Sequence, residues 1–127
     1  MPMFITFCCK VRNRDSLANP AAWESLTSAC EILHKAGKLR PRVMLAMPDH
    51  VHLLATIPAD GSIKMVVRSL KTAVARNHEV AWQDGFFDHR ARSDWQAAAI
   101  ADYILANPSR SGLVKKGGSW PFVRTSW

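Results

Sequence analysis

Along the chain the period of the apolar positions changes several times, and each change marks an element. Met3 to Val11 is a β-prone run, closed by the polar Arg12-Asn13-Arg14-Asp15. Asn19-Pro20 offers an N-cap followed by proline at the first helical position. Trp23, Leu26, Cys30 and Leu33 then recur at helical spacing, and Gly37 supplies a left-handed stop. Arg40 to Met47 and His50 to Ile57 are two apolar runs flanking Pro48-Asp49, which predicts a hairpin. Ala59-Asp60-Gly61 is a turn, and Ser62 caps a helix running to about Asn77. That helix has an apolar stripe of Ile63, Val66, Val67, Leu70 and Val74, with Lys64, Arg68 and Lys71 on its other side. After Gly85, Phe86 to His89 reads as a short strand. Ser93 and Gln96 have capping-box spacing, and an Ala-rich helix follows through Ile100 and Tyr103 to Asn107. Pro108 is expected to stop it, because the residue before a proline is pushed out of the helical region. Lys115 to Trp127 reads as an irregular strap.

The resulting order, strand-helix-strand-strand-helix-strand-helix, predicts an α+β fold of the split βαβ, ferredoxin-like kind. One antiparallel sheet carries helices packed on it, with an extra C-terminal helix that bears the tyrosine. The 127 residues are read as a single domain, 1–127, without repeats or linkers. A hydrophobic content of 48% excludes a disordered tail. Three cysteines, without a C-x-x-C, read as buried free thiols in a reducing cytoplasm, with Cys8 and Cys9 facing opposite ways. No apolar stretch approaches a membrane span, and the first residues lack the features of a signal peptide.

Charge narrows the partner. Lys and Arg number 17 against 10 Asp and Glu, a net +7, which favours a polyanion, with nucleic acid ahead of a membrane surface. The basic side of the 62–77 helix is then a candidate phosphate-contacting face, although a solvated surface would look the same.

Candidate chemistry begins at His50 and His52. Strand side chains alternate, so the two imidazoles share a face about 6–7 Å apart at the backbone while Val51 points into the other layer. Such a pair can be an ordinary hydrogen-bonded surface feature or two ligands of one divalent ion. Tyr103 is the only tyrosine. Asn107 follows one helical turn later on the same face, and its carbonyl oxygen is a hard ligand suited to Mg²⁺ or Mn²⁺. A phenol and a metal site on a basic domain suggest phosphoryl transfer to the phenolic oxygen, leaving a 5′-phosphotyrosine and a free 3′-hydroxyl. A half-buried aromatic with its hydroxyl bonded is the plainer reading of Tyr103.

Four segments together closely resemble the single-tyrosine HUH transposases, nearest the branch called REP-associated tyrosine transposases. They are Met47-Pro48-Asp49-His50-Val51-His52-Leu53-Leu54, Trp82-Gln83-Asp84-Gly85-Phe86-Phe87-Asp88-His89, Tyr103-Ile104-Leu105-Ala106-Asn107-Pro108 and Gly112-Leu113-Val114. The resemblance runs from about Val43 to Phe122. It implies a nuclease core that cuts and rejoins single-stranded DNA, often beside a hairpin. His50 and His52 match the metal-binding pair, Tyr103 the nucleophile, and Asn107 the residue giving a third ligand. Insertion-sequence relatives are commonly homodimers with the tyrosine helix against the partner's histidines, whereas the REP-associated branch includes monomers. Phe87 stands where many relatives have a second aromatic hydroxyl. The chain ends soon after Trp120-Pro121-Phe122, so a longer tail for hairpin recognition is expected to be absent.

Other residues carry plainer expectations. His34 and His78 lie late in helices where a cation suits the dipole. His89 is expected to be structural or to contact DNA, and Trp82 and Trp120 to anchor the core or the strap. Ser62, Ser69 and Ser93 lack any nucleophile elbow. Two rival functions stay open: a catalytically silent, domesticated DNA-binding protein, and a small metal-dependent hydrolase acting on nucleotides.

Overall fold

A computed structural model describes residues 1–127 except for the side chain of Asn77. The elements run β1 Met3–Cys8, α1 Pro20–Lys35, β2 Arg40–Ala46, β3 His50–Thr56, α2 Ile63–Asn77, β4 Phe87–Arg90, α3 Asp94–Arg110 and β5 Val123–Arg124. All strand pairs are antiparallel, in the order β4-β1-β3-β2-β5. The ferredoxin-like order therefore holds across the first four strands. The fifth lies within the stretch expected as a strap, where Val123 and Arg124 pair with Leu45 and Met44.

Local chemistry sets the helix ends as the sequence suggests. Asn19, Ser62 and Ser93 each accept a hydrogen bond from the backbone N–H three residues on, which satisfies an orphan donor of the first turn. Gln96 answers Ser93 by accepting from Arg92 N–H at 2.7 Å. The end of α3 departs from expectation, for Pro108 lies inside the helix, which runs on to Arg110. A proline this close to the C-terminus forfeits a single backbone bond, and its ring is buried, so packing outweighs the local preference. The stop comes instead at Gly112, with φ +75°. Its N–H donates to Ser109 and that of Leu113 to Pro108, a paired closure that only a left-handed residue permits.

Alternation along the strands divides the sheet between two cores. Met3, Ile5, Phe7, Val51, Leu53, Met44 and Ala46 pack under α1 and α2, together with Leu26, Cys30, Val66, Leu70 and Val74. Val43, Leu45, Met47 and Leu54 face the other way and meet Ala101 and Ile104 of α3. The helix bearing Tyr103 thus lies alone on one face. Among the described residues no helix is long and apolar enough to cross a membrane.

All three cysteines are buried free thiols. Burial pushes Cys9 up to about 11 and Cys30 up to about 12, so neither is a thiolate at neutral pH. Trp82 donates from Nε1 to Lys71 O and Trp120 from Nε1 to Ala46 O, so both serve as anchors.

Candidate active site

The turn between β2 and β3 is tied down from several sides, and this fixes where β3 begins. Met47 N–H donates to His50 O, Cys9 N–H to Asp49 O, and the N–H groups of Ser16 and Leu17 both donate to Pro48 O. Register then puts His50 opposite Cys8 and His52 opposite Thr6. Directly opposed residues of an antiparallel pair share a face, so both imidazoles project toward α3 while Val51 enters the other core. The two rings stand 4.7 Å apart, centroid to centroid.

Each imidazole is held by its Nδ1. His50 Nδ1 donates to Asp49 Oδ1 at 2.7 Å, and His52 Nδ1 lies 2.9 Å from the Thr6 hydroxyl. Both Nε2 atoms are thereby left as the free nitrogens, an arrangement typical of metal-ligating histidines. Burial, then the charges of His50 and Arg110, push the His52 pKa down to about 3, so its ring is neutral at physiological pH.

Asp49 has its own supports. Its Oδ2 accepts from Arg12 Nε and from Asn13 N–H, both at 2.9 Å. Asn13 takes a left-handed conformation, φ 63°, that aims this N–H at the carboxylate. Burial raises the carboxyl pKa, but the bonds from Arg12, Asn13 and His50 outweigh it and hold Asp49 well below the usual range. The stability this carboxylate contributes is complete above its unfolded pKa of about 4 and is lost as pH falls through the lower folded value. Acid unfolding of Asp49→Asn should therefore set in less steeply below about pH 4 than that of the parent. The same variant exchanges the charged carboxylate that orients His50 for a neutral amide, and should bind a divalent ion about 10-fold more weakly or worse by calorimetry.

Tyr103 comes to this face from α3. Its ring centroid lies 6.5 Å from that of His52 and 6.1 Å from that of Phe4, which itself lies 5.2 Å from His52. Phenol and imidazoles are therefore neighbours within one chain. The Tyr103 side is half exposed, and the Arg110 guanidinium sits 4.0 Å over its ring while donating to Tyr103 O. Asn107, one turn further on, is buried and its Oδ1 accepts from the Ser111 hydroxyl at 3.3 Å. Ser111 in turn lines a cleft of about 560 Å³ with His50, Asp49, Arg12 and Leu113.

Two imidazole nitrogens and an amide oxygen are a donor set suited to a divalent ion. Among the described residues no group of three or more His, Cys, Asp or Glu side chains gathers as a metal site. The buried Asn107 amide, one turn beyond Tyr103, is the candidate for a third, uncharged oxygen ligand.

Lys64, Arg68 and Lys71 lie elsewhere. They sit on α2, across the sheet from Tyr103, beside the 82–86 segment. Lys71 Nζ donates to Gln83 O and Gly85 O at 2.8 and 2.7 Å, which pins that segment, and burial lowers its pKa. Of the other histidines, His78 Nε2 is 3.1 Å from Ser25 Oγ, and His89 is on β4.

Sequence reasoning missed the supporting residues Thr6, Arg12, Asp49 and Arg110. Only Arg110 carried a signal, since it follows Tyr103 by seven residues and so returns to the same helical face.

Known proteins resemble this arrangement. The model of a family described as "Transposase IS200 like" matches residues 3–107. The chain is 27% identical over 119 residues to the REP-associated tyrosine transposase of Escherichia coli strain K12, covering 91% of this chain and 72% of that protein. A second curated relative, from Haemophilus influenzae, is 30% identical over 93 residues, and the chain spans about half of its length (53%). A solved structure of a REP-associated tyrosine transposase bound to a REP hairpin superposes with a TM-score of 0.82 at 25% identity, covering 96% of this chain and 74% of that one.

Proposed function

The chain belongs to the IS200-like transposase family, and we propose that it is a tyrosine transposase that cuts and rejoins single-stranded DNA through a covalent 5′-phosphotyrosine. The observation that carries the reading is the convergence of Tyr103 with the His50-His52 pair on one face of the sheet. His50 and His52 would hold a divalent ion, Mg²⁺ or Mn²⁺, through their free Nε2 atoms, with the Asn107 carbonyl as a third ligand. Such an ion supplies Lewis-acid polarisation of the scissile phosphodiester when bound.

The chain's own residues do the rest. The half-exposed Tyr103 phenol gives up its proton to solvent as its oxygen attacks phosphorus. The bond from phosphorus to the 3′-oxygen breaks, and that oxygen leaves as a hydroxyl after taking up a proton. Rejoining is the reverse, with an incoming 3′-hydroxyl displacing the phenol. Arg110, held over the ring, offsets negative charge gathered at the phosphate. Asp49 and Thr6 orient the imidazoles, and the buried surroundings of His52 keep it neutral and able to ligate. Lys64 and Arg68 would add sequence-independent contacts to phosphates remote from the cut, with Lys71 mainly bracing the 82–86 segment. The relative solved with a REP hairpin makes a strand with an adjacent hairpin the first substrate to try.

The test is incubation of labelled, hairpin-flanked single strands with the protein and Mn²⁺, followed by denaturing electrophoresis. A label that migrates with the protein only when the ion is present is the expected result. Salt-sensitive binding without any such band would mean a DNA-binding module instead.

A further inference from the structure

We propose that Phe87, with His89 beside it, is a stacking platform for an unpaired base flanking the scissile phosphate; this rests on the single-strand reading above. Strand register carries the argument. Thr6 pairs with His52 on one side and with Phe87 on the other, so His52, Thr6 and Phe87 form one row across the sheet and project from the same face. Phe4, which touches both His52 and Tyr103, likewise pairs with His89. The intervening residues of β4, Asp88 and Arg90, pair with Ile5 and Met3 of the opposite core and so face away. The strand thus turns its aromatic and imidazole side chains toward the tyrosine and its carboxylate away from it.

Phe87 is 69% exposed, and its strand forms the edge of the sheet. Folding gains little from a phenylalanine so placed. Two strand spacings of about 4.8 Å put it roughly 10 Å from His52 at the backbone, a distance that the nucleotide next to the cut can span. The occupant is inferred from charge and continuity. Arg110 stands over Tyr103 in a chain of net charge +7, which draws a polyanionic backbone across this face and brings a neighbouring base over Phe87. Every base presents a π face to an aromatic ring, whereas bases inside a duplex are already stacked on one another.

Fluorescence anisotropy on two labelled probes separates stacking from backbone attraction: a thymidine homopolymer single strand, and an abasic strand of equal length and charge. The parent should prefer the thymidine strand. Phe87→Ala should weaken binding to that strand by about fivefold or more while leaving the abasic strand unchanged, and Phe87→Trp should restore the preference. Equal losses on both probes, or none on either, overturn the platform. So does a parent that is dimeric by sedimentation while Phe87→Ala is monomeric with unaltered DNA affinity, since a second chain would then cover the ring. If the parent binds neither strand, the single-strand reading itself falls, and the platform with it.

Discussion

Tyr103→Phe forms no covalent adduct with a cut strand, cleaves at background level, and still binds uncut DNA as the parent does. The expected loss of cleavage is at least about a thousandfold, because the substitution deletes the attacking oxygen and leaves everything around it. The ring remains to pack beside Phe4 and His52 and to lie under the Arg110 guanidinium, since those contacts involve its faces and edges. At a half-exposed position the missing hydroxyl should change folding stability by no more than about 0.5 kcal/mol. Unchanged melting and unchanged anisotropy, alongside a vanished adduct, separate a lost nucleophile from a damaged protein.

Replacing both His50 and His52 with alanine should have the next largest effect, abolishing cleavage and the response to divalent ions together. Thermal unfolding reads the second loss independently of catalysis. An ion that binds only the folded parent at a hundred times its dissociation constant stabilises it by about 2.7 kcal/mol, and the double variant should show no such upward shift. The variant will also be less stable without any ion, because the Thr6 hydroxyl and the Asp49 carboxylate each lose a partner in or near the sheet. Both bonds are part-buried and Asp49 keeps its bonds from Arg12 and Asn13, so the cost is about 0.5–1.5 kcal/mol for each bond lost, and the comparison must be made for each protein with and without Mn²⁺. A double variant that still shifted with Mn²⁺ would place the ion elsewhere.

Much of this geometry could be read from the residues alone, where a local rule determined the outcome. Period-two alternation put His50 and His52 on one face, and helical spacing put Tyr103 and Asn107 one turn apart. N-caps at Asn19, Ser62 and Ser93 fixed three helix starts within a residue. Pro108 misled because a proline in the last turn costs so little that packing against the sheet decides, and the true stop lies in the backbone freedom of Gly112. The pairing of Val123-Arg124 with β2 was not legible, since two residues carry no period. Nor were the supports of the histidines. Arg12 and Asn13 reach Asp49 across 37 and 36 positions of sequence, and Thr6 reaches His52 across 46, through a strand register that only the assembled sheet defines. The basic side of α2 was read correctly as a stripe, yet its layer could not be known in advance. It lies across the sheet from the phenol, with Lys71 committed to backbone carbonyls.

Which atom joins the DNA decides the proposed mechanism, and mass spectrometry of the trapped adduct reads that atom. After nuclease trimming and trypsin, the peptide from Ser93 to Arg110, which contains the chain's one tyrosine, should carry a 5′-linked nucleotide on Tyr103. A nucleotide found on any other residue, or cleaved DNA whose 5′ ends never become attached to protein, would contradict it.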